Sequence, residues 1–477
     1  MAEQSLKDKT VIGILWSSVE RFSVQGVGFI VTLFTARILS PSDYGLVGML
    51  AIFMAVAQTL IDSGFSQALI RKQDRTEVDN STVFYFNIIV SLLLYLLLYS
   101  IAPRVAVFYN EPQLTLLMRV LCLGVVINSL AVVQRAIYTT QIDFRTQAKA
   151  SLIAAVISGV AGVWMAFNGY GVWTLVWQNL INAGINTLLL WTFSCWHPIC
   201  AFSWKSFREL FAFGSKLLMS ALLDTIYTNM YALVIGKVFS AASLGNYAQA
   251  DRFAKLPSSN MTGILQRVTY PVLCTLQNDD ERLRENYRNF LRLSAFVIFP
   301  LMCLLAGVSA PLIELLIGEK WLYASTLLIP VCFTMMWWPI HAINLNLLQV
   351  KGRSDLFLRL EVIKKILGVA ILVVSIPFGL LVMCYTGILT SILCLIINTY
   401  YTGKLISVGF ILQMKDISKT LLISLCMFAL IKVLMLLLHG IVWQLIIGCV
   451  LGALFYFFST KFLCPQEFSY IKQILKR

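Results

Sequence analysis

The chain has 477 residues, of which 59% are hydrophobic and only 13% charged, with a mean hydropathy of +0.80. Soluble domains carry roughly a quarter charged residues, so this composition excludes an ordinary soluble enzyme and points to a chain immersed in lipid. The net charge of +14 would suit nucleic acid in a soluble protein, but its placement along the chain marks membrane orientation, and no nucleic-acid partner is expected.

The opening stretch MAEQSLKDKT is polar and leads into a long apolar run without a small-residue cleavage site. The first helix is therefore expected to stay as an anchor. In chain order, apolar segments fall at 10–38, 44–68, 81–102, 114–137, 149–168, 171–193, 211–237, 243–275, 290–308, 322–350, 357–377, 379–402, 417–438 and 441–461. A spanning helix needs about 20 mostly apolar residues. The pattern thus predicts an all-α polytopic membrane protein of about 14 transmembrane helices. An even number of crossings returns the C-terminus to the side of the N-terminus. With that side cytoplasmic, 26 of the 37 Lys and Arg residues lie on inner connections, and only Arg37, Arg104, Lys237 and Lys320 lie at outer ends. That asymmetry is the positive-inside pattern.

A repeat appears at an offset of 200 residues. ARILSPSDYGLVGMLAIF from Ala36 aligns with GKVFSAASLGNYAQADRF from Gly236, matching Ser40 to Ser240, Gly45 to Gly245, Phe53 to Phe253 and Arg37 to Lys237. Each copy ends one odd-numbered helix and begins the next. Six helices separate the copies, so both halves enter the membrane in the same direction, the parallel-repeat plan of some transporters. The expected organisation is a six-helix lobe at 1–193, a cytoplasmic linker at 194–210, a second six-helix lobe at 211–402, and helices 13 and 14 with a cytoplasmic tail at 403–477.

The eleven cysteines lie mostly inside apolar segments, where they act as small hydrophobes rather than as a disulfide framework. Cys195, His197 and Cys200 are close together in a loop, without a partner cluster elsewhere. Neither a metal nor a cofactor is expected.

Charged groups at bilayer depth cost roughly 2.5–3.5 kcal/mol each and ask for a reason. On the first helix Ser17, Arg21, Gln25, Gly28, Thr32 and Thr35 share one arc, with Glu20 at its edge. On the seventh, Lys216, Ser220, Asp224, Tyr227 and Tyr231 do the same. The eighth carries Asp251, Arg252, Lys255, Gln266 and Arg267, with Pro257 in mid-span. Asp251 and Lys255, four residues apart, can pair. Asp62 closes the second helix, and His341 lies deep in the tenth beside Trp337, Trp338 and Pro339, where a kink is expected. Arg119 and Lys432, near the outer surface, are expected to snorkel.

The stretches TARILSPSDYGLVGM, DSGFSQALIRKQD, STVFYFN, IAPRVAVFYNEPQL, QRAIYTTQIDFR, GYGVWTLVWQ, VIGKVFSAASLGNYAQADRFAKLP and RVTYPVLCTLQNDDERLRENYRNFLRL carry a family likeness. In their order and spacing the chain resembles the polysaccharide-transport flippases of the multidrug/oligosaccharidyl-lipid/polysaccharide (MOP) superfamily. That branch holds the O-antigen, colanic-acid and teichuronic-acid repeat-unit exporters. Many members carry an acidic or amide pair before the I-G-[RK] of the seventh helix, where this chain has Met230 and Tyr231.

The resemblance implies a multi-pass protein of the bacterial inner membrane that translocates undecaprenyl-pyrophosphate-linked oligosaccharides for lipopolysaccharide, capsule or exopolysaccharide. Polysaccharide assembly proteins are possible partners. Arg21, Lys216, Arg252, Lys255 and Arg267 would then hold the anionic head group in a basic cavity, with Tyr227 and Tyr231 against sugar rings. Glu20, Asp62, Asp224 and His341 are the candidates for proton or ion coupling. An antiporter of cationic drugs should instead show an acid-dominated cavity. A polymerase or ligase should carry catalytic groups on a long outer loop, and the longest outer connection spans only 308–322, with no catalytic constellation. The chain reads as a transporter, not an enzyme.

Overall fold

The structure is a computed structural model and describes residues 6–62 and 64–465. Lys472, Lys476 and Arg477 of the expected tail lie outside the described residues. Every regular element among the described residues is helical, as a backbone surrounded by hydrocarbon requires when it has no sheet to close. In chain order the α-helices are α1 (Leu6–Ile38), α2 (Pro41–Asp62), α3 (Phe65–Arg71), α4 (Glu77–Tyr109), α5 (Leu114–Leu121), α6 (Leu123–Ser129), α7 (Val132–Thr140), α8 (Phe144–Phe167), α9 (Trp173–Phe193) and α10 (Trp204–Val238). There follow α11 (Ala241–Thr275), α12 (Asp280–Gly307), α13 (Ser309–Ile317), α14 (Leu322–Met335), α15 (Trp338–Val350), α16 (Ser354–Ser375), α17 (Leu380–Ile406), α18 (Phe410–Leu437) and α19 (Ile441–Leu463).

Among the described residues, ten helical stretches are long and apolar enough to cross a membrane. Four further helices have the length and fall short in apolarity: α1 with 33 residues, α9 with 21, α11 with 35 and α16 with 22. Their polar residues explain it. Glu20, Arg21 and Gln25 lie on α1, Gln178, Asn179, Asn182 and Asn186 on α9, the charged run already described on α11, and Arg359, Glu361, Lys364 and Lys365 on α16. The apolar segment 322–350 is broken into α14 and α15 at the expected kink. Pro339 sits in the first turn of α15, and Trp337 packs edge-on against Phe299 at 5.2 Å.

The chain divides into two compact units, 1–245 and 246–477. In the first, both copies of the repeat use their serine in the same way. Ser40 Oγ accepts from the Asp43 N–H at 3.3 Å, and Ser240 Oγ accepts from the Ser243 N–H at 3.1 Å, so each serine caps the helix that follows it. The matched glycines then bring the two helix starts together. A Cβ on Gly45 would lie 1.7 Å from the Ala241 carbonyl oxygen, and one on Gly245 would lie 1.8 Å from that of Pro41.

A second seam joins α10 to α2 at three levels. The Cβ of any residue replacing Gly64, itself at φ +69°, would lie 2.5 Å from the Gly214 carbonyl oxygen. The Thr59 and Thr225 hydroxyls meet at 2.9 Å, and a Cβ on Gly236 would lie 3.0 Å from Met49 Cγ. Gly214, Thr225 and Gly236 are eleven residues apart, three turns of helix, and so form one face.

The segment 194–203 ahead of α10 is bound to the start of α4. The Ile199 N–H donates to Ser81 Oγ and the Ser203 N–H to Thr82 Oγ1, both at 3.0 Å, while Trp196 Nε1 donates to Glu77. Lys72, at the end of α3, donates to Asp79 on α4 at 3.2 Å and to Glu209 on α10 at 3.3 Å. Burial works against its charge, but these two carboxylates raise its pKa above the ordinary lysine range.

In the second unit α12 packs against α18, and α18 against α19. Arg288 grips Asp416 with two nitrogens at 2.7 Å each, and Arg292 donates to the same carboxylate. Higher up, Cβ atoms on Gly307 and Gly452 would lie 2.9 and 2.8 Å from Ile431, so α18 settles directly onto the backbones of α12 and α19. Gly45→Ala is expected to cost about 1–3 kcal/mol by overpacking, read as a lower Tm in detergent. Gly184→Ala, with nothing within 4 Å of the new Cβ, should leave Tm unchanged or slightly higher. Asp416→Asn leaves two arginines without their anion and should cost about 2–3 kcal/mol, below the 3–5 kcal/mol of a fully buried pair.

Candidate substrate and coupling residues

In the first unit the two polar helices turn different faces to their neighbours. On α1, Gly13, Glu20 and Val31 face α8: Cβ atoms on Gly13 and Gly159 would press on Phe144 and Val31, and Ser151 Oγ donates to Glu20 at 2.8 Å. Arg21, one residue on, is turned about 100° away and is exposed, with no ion pair within 4.0 Å among the described residues. Glu20 is therefore committed to α8, and Arg21 is held out on the polar arc. The C-terminal end of that arc is covered, since Thr35 Oγ1 bonds Tyr44 OH at 2.7 Å and both Thr32 and Thr35 are buried.

On α10 the separation is sharper. Taking Gly214, Thr225 and Gly236 as the face packed on α2, the residues Lys216, Ser220, Asp224, Tyr227 and Tyr231 centre about 140° from it. Lys216 and Asp224 are exposed, and both tyrosines are half-buried. Asp62, at the end of α2, accepts from Gln58 Nε2 at 3.2 Å, and Asn128 Nδ2 donates to Gln58 Oε1 at 3.3 Å. This short polar chain aims the Asp62 carboxylate. Arg135 on α7 lies within electrostatic reach of both Asp62 and Glu20. Arg135 is one of the 26 cations on the connections expected to be inner. Its signal was its place inside the apolar segment 114–137, where a cation needs a partner.

In the second unit, α11 runs unbroken through Pro257. Ser258 Oγ donates to the Met335 carbonyl at 2.7 Å, and Thr269 Oγ1 accepts from Asn346 at 3.1 Å, which fixes the packed face of the helix. Asp251 falls on that face, whereas Arg252 and Arg267 lie about 100° and 160° round from it. Arg252 is half-buried and Arg267 exposed. Asp251 and Lys255 make no ion pair within 4.0 Å; Lys255 is exposed, and its charge reaches Asp251 only at longer range.

His341, half-buried in the second unit, is bonded at both nitrogens. Asn398 Nδ2 lies 3.2 Å from Nδ1, and Ser391 Oγ lies 3.1 Å from Nε2. An amide nitrogen only donates. So Nδ1 accepts, Nε2 carries the proton, and Ser391 passes its own to the Thr334 carbonyl at 3.3 Å. A neutral ring satisfies every partner in this chain. One turn on, Asn344 and Gln413 exchange amide hydrogen bonds at 3.1 Å, with Thr402 and Tyr287 completing the buried cluster.

Arg119 and Lys432 rest over aromatic rings, at 4.2 Å from the centroid of Tyr99 and 5.8 Å from that of Phe428. Among the described residues no group of three or more His, Cys, Asp or Glu side chains could hold a metal ion. His197 lies against Trp191, and Cys200 accepts from Tyr85.

Comparison with known proteins gives these residues a setting. The family model described as "Polysaccharide biosynthesis protein" matches residues 34–326. The chain is 26% identical over 354 residues to the teichuronic acid biosynthesis protein TuaB of Bacillus subtilis, covering 74% of this chain and 73% of TuaB. It is 25% identical over 376 residues to the lipopolysaccharide biosynthesis protein WzxC of Escherichia coli, covering 78% and 76%. Among solved structures, the lipid II flippase MurJ in an inward closed conformation superposes with a TM-score of 0.77 at 17% identity, covering 97% of this chain and 100% of that one. An inward-facing multidrug resistance MATE transporter of the MOP superfamily superposes with a TM-score of 0.60 at 16% identity, covering 86% and 98%. The family match spans more than half the chain: this is a multi-pass membrane protein of the polysaccharide biosynthesis protein family, with the fold of the MOP superfamily transporters.

Proposed function

We propose that the protein is a flippase that moves undecaprenyl-pyrophosphate-linked oligosaccharide repeat units across the bacterial inner membrane. Its family membership and its relatives TuaB and WzxC, named for teichuronic acid and lipopolysaccharide biosynthesis, support a substrate drawn from polysaccharide assembly. The observation that carries the reading is on α10, where an arc of Lys216, Asp224, Tyr227 and Tyr231 faces away from the glycine and threonine seam on α2. A polar face turned away from that seam suits a wet path for a sugar and a pyrophosphate, neither of which crosses hydrocarbon unaided.

In this reading fourteen helices cross the membrane, both termini are cytoplasmic, and two six-helix lobes work by alternating access with helices 13 and 14 appended. Arg21, Lys216, Arg252, Lys255 and Arg267 bind the pyrophosphate, Arg by its bidentate fork and Lys as a point charge. Tyr227 and Tyr231 stack on sugar rings, and the polyprenyl tail stays in lipid. Glu20, Asp62, Asp224 and His341 are the groups through which an ion or proton gradient would act, with Arg135 the counter-charge to the first two. The membrane potential alone supplies about 2.3 kcal/mol per charge per 100 mV for an outward-moving anion.

Arg21→Ala combined with Arg252→Ala, at unchanged membrane abundance, is expected to reduce surface glycan at least about tenfold; full export by this variant would overturn the head-group assignment. A reporter fused after Arg477 should be active only as a cytoplasmic protein. In proteoliposomes the wild-type chain should flip a lipid-linked oligosaccharide, and transport of a cationic dye in its place would redirect the reading to an antiporter.

A further inference from the structure

The turn from α17 to α18 passes through Ser407 at φ +57° and leaves a notch of about 530 Å³ on the second unit. Pockets of this size hold small ligands. Its floor is bare backbone, since a Cβ on Gly403 would lie 3.1 Å from the Gly409 Cα. Its walls are apolar and aromatic, with Ile396, Tyr400, Phe410 and Ile411 among them, and Lys415 lines it. Ile411 is 84% exposed.

The order of side chains along α17 matters. Ile396, Tyr400 and Lys404 are four residues apart and so share one face over about 12 Å. Along that face an aliphatic residue is followed by an aromatic one and then a cation, the sequence that hydrocarbon, interface and head-group layers select. The Lys404 ammonium stands 4.6 Å from the Tyr400 ring centroid. Among the described residues no carboxylate pairs with Lys404 or Lys415 within 4.0 Å. The nearest acid in sequence, Asp416, points inward and is consumed by Arg288 and Arg292. Both lysines are exposed; Lys415 lines the slot, and Lys404 stands over the Tyr400 ring that forms part of its wall.

We propose that this notch binds an anionic glycerophospholipid, its phosphate between Lys404 and Lys415 and an acyl chain along Ile396 and Ile411. A soluble anion would satisfy the lysines but leave the apolar wall uncovered, whereas a phospholipid uses both. The amino end of α18 at Phe410 adds donors on the phosphate side. The site needs the protein only to be membrane-embedded, and shares no residue with those assigned to the transported substrate.

The full-length protein in mild detergent, titrated with phosphatidylglycerol or phosphatidylcholine and read by native mass spectrometry, tests this. The wild type should retain phosphatidylglycerol in preference. Lys404→Glu with Lys415→Glu should weaken that retention roughly tenfold to thirtyfold, and Lys404→Gln with Lys415→Gln should weaken it in the same direction. Lys205→Glu with Arg208→Glu, the same charge change on exposed residues of the first unit, should leave it unchanged. Equal retention of both lipids, or no effect of the Lys404 and Lys415 variants, would overturn the proposal. Displacement by millimolar inorganic phosphate would also overturn it, by showing a site for free anions.

Discussion

A backbone in hydrocarbon finds no water to bond, so every peptide group must be satisfied within its own segment, and a chain without a closed sheet must cross as helices. In this protein that constraint decides more than the secondary structure. Once each helix is internally complete, lipid gives helices little hydrophobic reason to associate, and the association must come from close contact and side-chain hydrogen bonds. The structure uses both. Gly64 against Gly214, Gly307 against Ile431, and Gly236 against Met49 bring backbones within van der Waals reach. Thr59 with Thr225, Ser151 with Glu20, and Asn344 with Gln413 tie neighbouring helices by polar bonds.

The same economy gives polar residues of one helix different surroundings. Glu20, Asp251 and His341 lie on packed faces or in closed hydrogen-bond chains. Arg21, Lys216 and Arg267 sit on faces that their own helices leave unpacked. Neighbouring residues on one helix, such as Glu20 and Arg21, thus have different surroundings because about 100° of rotation separates them.

How far the sequence could be read depends on range. Hydropathy located the helices because a membrane span is a local pattern, and the break at Trp337 and Pro339 followed from local backbone chemistry. The polar arcs of α1 and α10 were also legible, since helical periodicity alone places them. The linker around 194–203 was not legible as a bound segment. Its partners Ser81 and Thr82 lie about 120 residues earlier, and no short-range pattern names them. For the same reason the approach of Arg135 to Asp62 and Glu20 was not legible, since the two acids lie far from it in the chain. The glycine, threonine and glycine face of α10 carries a regular spacing, but the sequence does not say which helix it meets.

The two repeat glycines carry a consequence for the origin of the fold. Position 45 meets position 241 and position 245 meets position 41, and each pair is the other shifted by 200 residues. This is the signature of an isologous contact, in which residue i touches j and j touches i, the form an interface takes when two identical subunits meet across a two-fold axis. A half-length ancestor bearing one such glycine could have dimerised through it, a single substitution serving both sides of the interface. If the two halves are fused copies of it, the glycines are now separate positions, and a side chain at either one would still clash with the backbone of the other helix start.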